Sequence, residues 1–122
     1  MRIKLDQLDK LFSEFIRKRA MTKVGGCERC LTWKENYKQL QCSHFNGRSK
    51  KSTRWDEDNA CGLCFGCHQY LGSHPLEHTE FFKKRLGELN FDLLNSRARI
   101  TCKPDKEALT LYFKARIGEG NG

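Results

Sequence analysis

At 122 residues the chain has room for one domain, and with 38% hydrophobic residues and a mean hydropathy of -0.74 that domain can bury only a modest core. No apolar run approaches the roughly 18 residues a membrane-spanning helix needs, so no membrane partner is expected and the cytoplasm is the expected location. Lysine and arginine total 23 against 15 aspartates and glutamates, a formal net charge of +8, which points to a polyanionic partner and to nucleic acid before an acidic membrane surface.

In chain order, residues 1–23 form an N-terminal helical part. Leu8, Leu11, Phe12, Phe15 and Ile16 fall on one face of an amphipathic helix over Leu5–Arg19, expected to pack on the core. Arg17, Lys18 and Arg19 suit the negative end of its dipole and could face a phosphate backbone. Lys23-Val24-Gly25-Gly26 breaks it. Residues 24–72 form the centre. Here the pattern predicts a strand over Tyr37–Phe45, a basic loop over Asn46–Ser52, a short return strand at Thr53-Arg54-Trp55, a turn at Asp56–Asn59 and a helix starting near Cys64. Residues 73–117 should be helical: Leu76–Leu86 after a Ser73-His74-Pro75 cap, Glu88–Arg99, and Lys106–Ile117, with Ile100-Thr101-Cys102 as a further strand. Residues 118–122 read as a frayed tail. The fold class is therefore α+β, a single domain without internal repeats.

Two Cys-x-x-Cys pairs, Cys27/Cys30 and Cys64/Cys67, have the spacing of a tetrahedral Zn(Cys)4 site, each pair giving two sulfurs from one tight turn. A disulfide framework fits poorly, because the seven cysteines are odd in number and the N-terminus has no secretory signal. A metal staple would compensate for the small core, since such sites contribute on the order of 10 kcal/mol of apparent binding free energy.

Between and behind the knuckles stand His44, Asn59 and His68. Phosphodiester hydrolysis needs a base to activate water and a cation to offset charge on the phosphorane and the leaving oxygen. With a reference pKa of about 6.5, a histidine can serve as that base, and the role goes to His44 at the end of the first strand. His68, fixed by its neighbour Cys67, would hold a catalytic metal through a neutral nitrogen, and Asn59 would hold the loop and the His44 imidazole by hydrogen bonds. Arg48, Lys50, Lys51 and Arg54 are the expected contacts to the DNA backbone. Trp55, Trp33 and Tyr37 are expected in the core.

These residues resemble the HNH, or ββα-metal, endonucleases, and within them the NinG/Rap group of phage recombination nucleases. The resemblance covers most of residues 5–97: the Leu-Phe-Ser-Glu-Phe-Ile-Arg opening, both knuckles, Ser43-His44-Phe45, Asn59 five residues before Cys64, and Leu71-Gly72-Ser73-His74 leading to Phe82-Lys83-Lys84-Arg85-Leu86-Gly87. It implies a zinc-stapled ββα-metal core with flanking amphipathic helices. It also implies Mg²⁺- or Mn²⁺-dependent cleavage of DNA, including branched recombination intermediates, to 5′-phosphate and 3′-hydroxyl ends, and a host-cell cytoplasmic location if the chain is phage-encoded. A junction has two symmetric strands to cut, which would suit a homodimer.

The chain departs from this pattern twice. Ser43 stands where many HNH enzymes carry a metal-binding aspartate or histidine, so water and phosphate oxygens would complete the ion's shell. His68 stands where NinG-like sequences usually have asparagine, which would favour softer ions such as Mn²⁺ or Ni²⁺ alongside Mg²⁺. Cys61 is a further candidate for touching the catalytic metal, against the reading of Cys42, Cys61 and Cys102 as small buried hydrophobes. His74 and His78 read as helix-start surface residues. The alternative function is a zinc-knuckle nucleic-acid-binding module without catalysis, with Cys42, Cys61, His44 and His68 around a second zinc; a third is an accessory protein recruiting partners through its helices.

Overall fold

In the computed structural model, which describes residues 3–119, the first element is helix α1, Gln7–Val24. A reciprocal capping box starts it: the Asp9 amide donates to Asp6 Oδ1 at 3.0 Å and the Asp6 amide to Asp9 Oδ2 at 2.8 Å, satisfying two backbone donors that a helix start leaves open. Gly25 stops it in the left-handed region, φ 70°, its N–H donating to Met21 O, as a C-terminal glycine without a Cβ can do. The helix thus runs five residues beyond Arg19.

A 3₁₀ turn over Tyr37–Gln39, capped by Asn36, occupies the first part of the expected strand. Strand β1 is Gln41–His44 and pairs antiparallel with β2, Ala60–Leu63, in the register Gln41↔Leu63, Cys42↔Gly62, Ser43↔Cys61, His44↔Ala60. The return strand is therefore not Thr53-Arg54-Trp55, whose first two residues end a short helix α2, Lys51–Arg54. It is Ala-Cys-Gly-Leu, buried on both faces, which leaves no polar–apolar alternation to read.

Helices α3 (Phe65–Gly72), α4 (Pro75–Leu86), α5 (Glu88–Ala98) and α6 (Lys106–Glu119) follow. Ser73 does not cap α4; its Oγ donates back to the carbonyls of Gln69 and Tyr70 at 3.1 and 3.2 Å. Residues 100–102 form no strand. Helix α6 carries on past Gly118, and the rest of the expected tail, residues 120–122, lies outside the described residues.

The sheet is the middle layer. Side chains alternate across a strand, so Cys61 and Leu63 join Leu71, Phe82 and Phe91 on one face. Ala60 joins Phe12, Ile16, Trp55 and Phe113 on the other. A Cβ added at Gly62 would lie 2.7 Å from Ala20 Cβ, so α1 can press onto the sheet only because this residue has no side chain. Phe113 of α6 then closes α1 with ring contacts to Phe12 at 5.3 Å and Phe15 at 5.2 Å.

Asp9, 4% exposed, ties α1 to α2. Its Oδ1 accepts from Arg54 Nε and Trp55 Nε1, both at 3.0 Å, and its Oδ2 from Arg54 Nη2 at 2.6 Å. Burial alone would raise this carboxyl, but the hydrogen bonds and charge of Arg54 outweigh it and hold it down at about 2. Truncating one partner of such a pair leaves the other charge buried and uncompensated. Asp9→Ala should therefore cost about 3–5 kcal/mol, read as the loss in unfolding free energy in urea; a loss below about 1 kcal/mol would contradict the buried-pair assignment.

Candidate functional site

The four knuckle cysteines come together: the sulfurs of Cys27, Cys30, Cys64 and Cys67 lie within 4.8 Å of one another. A tetrahedral ion with metal–sulfur bonds of about 2.3 Å has sulfur–sulfur edges of roughly 3.8 Å, and Cys30 Sγ and Cys64 Sγ stand 3.8 Å apart. The donor set therefore fits a metal ion and is consistent with zinc. Each knuckle turns an amide toward a sulfur, Cys30 N to Cys27 Sγ at 3.5 Å and Cys67 N to Cys64 Sγ at 3.4 Å. The Cys64 sulfur thereby doubles as the N-cap of α3.

The thiols are not equally ready to ionise. The Thr32 hydroxyl, 3.0 Å from Cys30 Sγ, leads the interactions that hold that thiol down at about 6. Burial pushes Cys67 up to about 12, with Arg29 Nη1 donating to its sulfur at 3.4 Å. A bound cation would have to displace the Cys67 proton, which a coordinating metal does. Leu31, at φ 63°, turns the chain out of the first knuckle. Glu28, inside that knuckle, fastens it to β2. Its amide donates to Gly62 O at 2.9 Å, and its carboxylate accepts from Gly62 N at 2.6 Å and Arg85 Nε at 3.1 Å.

His44 ends β1 and is half-buried. Its Nε2 lies 3.2 Å from the Arg54 carbonyl, which can only accept, so the neutral ring carries its proton on Nε2 and leaves the Nδ1 lone pair open. Burial, then the positive charge of Arg48, pushes this imidazole down to about 4. Asn59, fully buried, does not bond His44 as expected. Its Oδ1 accepts from Asn46 N at 2.8 Å and Asn46 Nδ2 at 3.2 Å, and its Nδ2 donates to Asn46 O at 2.9 Å. It pins the loop that leaves His44, while the orientation of the imidazole comes from the backbone.

His68 lies on the first turn of α3, its pKa lowered by burial and by Arg48. The Arg48 charge thus bears on both imidazoles; its Nε stands 4.0 Å from Asp9 Oδ1, and His68 Nδ1 is buried without a hydrogen-bond partner. Lys50 and Lys51 are exposed, and with Arg99 and Ser52 they line a shallow cleft.

Other basic side chains are taken up by the fold. Arg54 is held by Asp9 and is no surface contact. Arg19 donates to Glu57 O at 2.9 Å and Ala60 O at 2.7 Å, Arg85 pairs with Glu28, and Arg97 with Asp56 and Asp58. Trp55 is buried, as expected, but Trp33 is 69% exposed. Cys61 sits in the core, its thiol pushed well above its ordinary value by burial, and Cys102 is exposed. The register sets Cys42 and Cys61 on opposite faces of the sheet, so the four residues of the imagined second zinc site do not converge. Among the described residues the knuckle cysteines are the one metal-holding group of three or more such side chains.

His78 is the residue missed in the sequence. It is half-buried, its ring meets Phe45 at 5.2 Å and Phe82 at 5.3 Å, and its Nε2 is buried without a partner. One signal could have found it: His68 and His78 stand five residues either side of Ser73, at the corner between α3 and α4.

No family model, curated protein or solved structure matches the chain.

Two outcomes follow from this geometry. A zinc chelator strong enough to empty the cluster should collapse the domain, seen as loss of the cooperative thermal transition and its return on adding Zn²⁺; an unchanged transition would show that the sulfurs hold no structural ion. By NMR, the His44 ring should keep neutral-imidazole shifts as the pH falls to 5 and titrate near 4. A midpoint near 6.5 would mean that neither burial nor Arg48 acts on it.

Proposed function

We propose that the protein is a metal-dependent DNA endonuclease of the HNH type, with zinc in the four-cysteine cluster and Mg²⁺ or Mn²⁺ at His68. The observation that carries the proposal is the tautomer of His44: a neutral imidazole whose Nε2–H is spent on the Arg54 carbonyl, under the positive charge of Arg48.

At neutral pH such a ring holds no extra proton, so its Nδ1 is open to take one from an attacking water. Arg48, whose charge reaches both His44 and His68, would offset charge gathering on the phosphorane. Lys50 and Lys51 would grip the flanking backbone without reading sequence. A divalent ion on His68 would supply further positive charge for the leaving oxygen. Asn59 fixes the Asn46 loop that leads from His44 to Arg48, and so positions the base relative to the cation. The preference for branched DNA rests on the family resemblance.

The test is cleavage of a plasmid and of a synthetic four-way junction with Mg²⁺, Mn²⁺ or EDTA. Wild type should cut only with metal, and His44→Ala should lose roughly 10²–10⁴ in rate while binding DNA and melting normally. Salt-sensitive binding without cleavage by either protein would overturn the proposal in favour of a nucleic-acid-binding module.

A further inference from the structure

We infer that His78 is a second protein ligand of the divalent ion at His68, and that the resulting two-imidazole site takes a first-row transition ion such as Mn²⁺ in preference to Mg²⁺. The inference deepens the reading just given and rests on it for the ion's catalytic role, though not for the site itself.

Among the described residues, five buried side-chain polar atoms have no hydrogen-bond partner, and two of them are His68 Nδ1 and His78 Nε2. A buried ring nitrogen left without a partner is destabilising, and one partner able to take a lone pair from each would satisfy both. A cation is such a partner. The two rings belong to consecutive helices that pack against each other across the Ser73 corner.

Both ligands are held from behind. His68 follows Cys67, whose sulfur belongs to the metal cluster. The His78 ring is set edge-on between Phe45, the residue after His44, and Phe82, so its direction is fixed before any ion arrives. Imidazole nitrogen suits Mn²⁺, Co²⁺, Ni²⁺ and Zn²⁺, whereas Mg²⁺ prefers oxygen.

The test uses the full-length, zinc-loaded protein titrated with Mn²⁺, free Mn²⁺ being followed by its EPR signal. Wild type should bind one Mn²⁺ per chain, and pulsed EPR should count two directly bound imidazole nitrogens. His68→Gln and His78→Phe, the latter keeping an aromatic ring between Phe45 and Phe82, should each weaken binding by about tenfold or more. Mg²⁺ should compete only at large excess.

One coupled nitrogen in wild type, wild-type affinity in a folded His78→Phe, or equal competition by Mg²⁺ would overturn the inference. The nitrogen count is read on the wild type, so a variant that fails to fold does not blunt the test. Two coupled nitrogens in a protein that cuts no DNA would support this site and defeat the nuclease proposal; one nitrogen in a protein that does cut would do the reverse.

Discussion

Four sulfurs within 4.8 Å of one another are the constraint on which the rest of this small structure depends. As thiolates they would repel, and as thiols they would make a loose, half-exposed contact; a tetrahedral cation would turn the same arrangement into the strongest tie in the chain. The tie joins a turn after α1 to the junction of β2 and α3. It starts α3, because the Cys64 sulfur is also that helix's cap, and it fixes His68 one residue beyond the last ligand. Glu28, between the first two sulfurs, carries the constraint outward to the sheet through Gly62 and to α4 through Arg85.

The second tie is Asp9 with Arg54, and its interest lies in Arg54 having two ends. The guanidinium answers the buried carboxylate of α1, while the carbonyl of the same residue receives the His44 proton. The N-terminal helix and the imidazole are thus linked through one residue that never needs to meet a substrate. A basic residue bonded to His44 invites reading as a phosphate contact. Here the low-dielectric pairing with Asp9 takes precedence, because an unpaired buried carboxylate would cost far more than a surface contact returns.

Much of the architecture was legible because its signals are local. The apolar stripe of α1, the paired cysteines and the proline and glycine boundaries of α4 act over a few residues, and each stands close to where the pattern puts it. The errors have one physical source, burial on more than one side. Ala60–Leu63 lost its strand signature because both faces are covered, and the return strand was therefore sought among the more polar residues before it. Arg19 and Arg54 look like cations free to meet phosphate, since nothing near them in sequence reveals a carboxylate or carbonyl supplied from some 40 positions away. His78 was passed over for the same reason. Its companions Phe45 and His68 become neighbours only when α4 folds back on α3. Trp33 errs the other way, an aromatic beside a knuckle that the fold leaves in solvent.

A two-stranded sheet ordinarily leaves an open edge where another chain can add a strand. On β2 that edge is already occupied. Of the main-chain groups at Ala60 and Gly62 that point away from β1, the Ala60 carbonyl takes the Arg19 guanidinium, and the Gly62 N–H and C=O take the Glu28 carboxylate and amide. No strand from a second copy can zip onto β2 without first expelling a helix cation and the metal knuckle. Strand addition at the β2 edge is blocked by two side chains, Arg19 and Glu28.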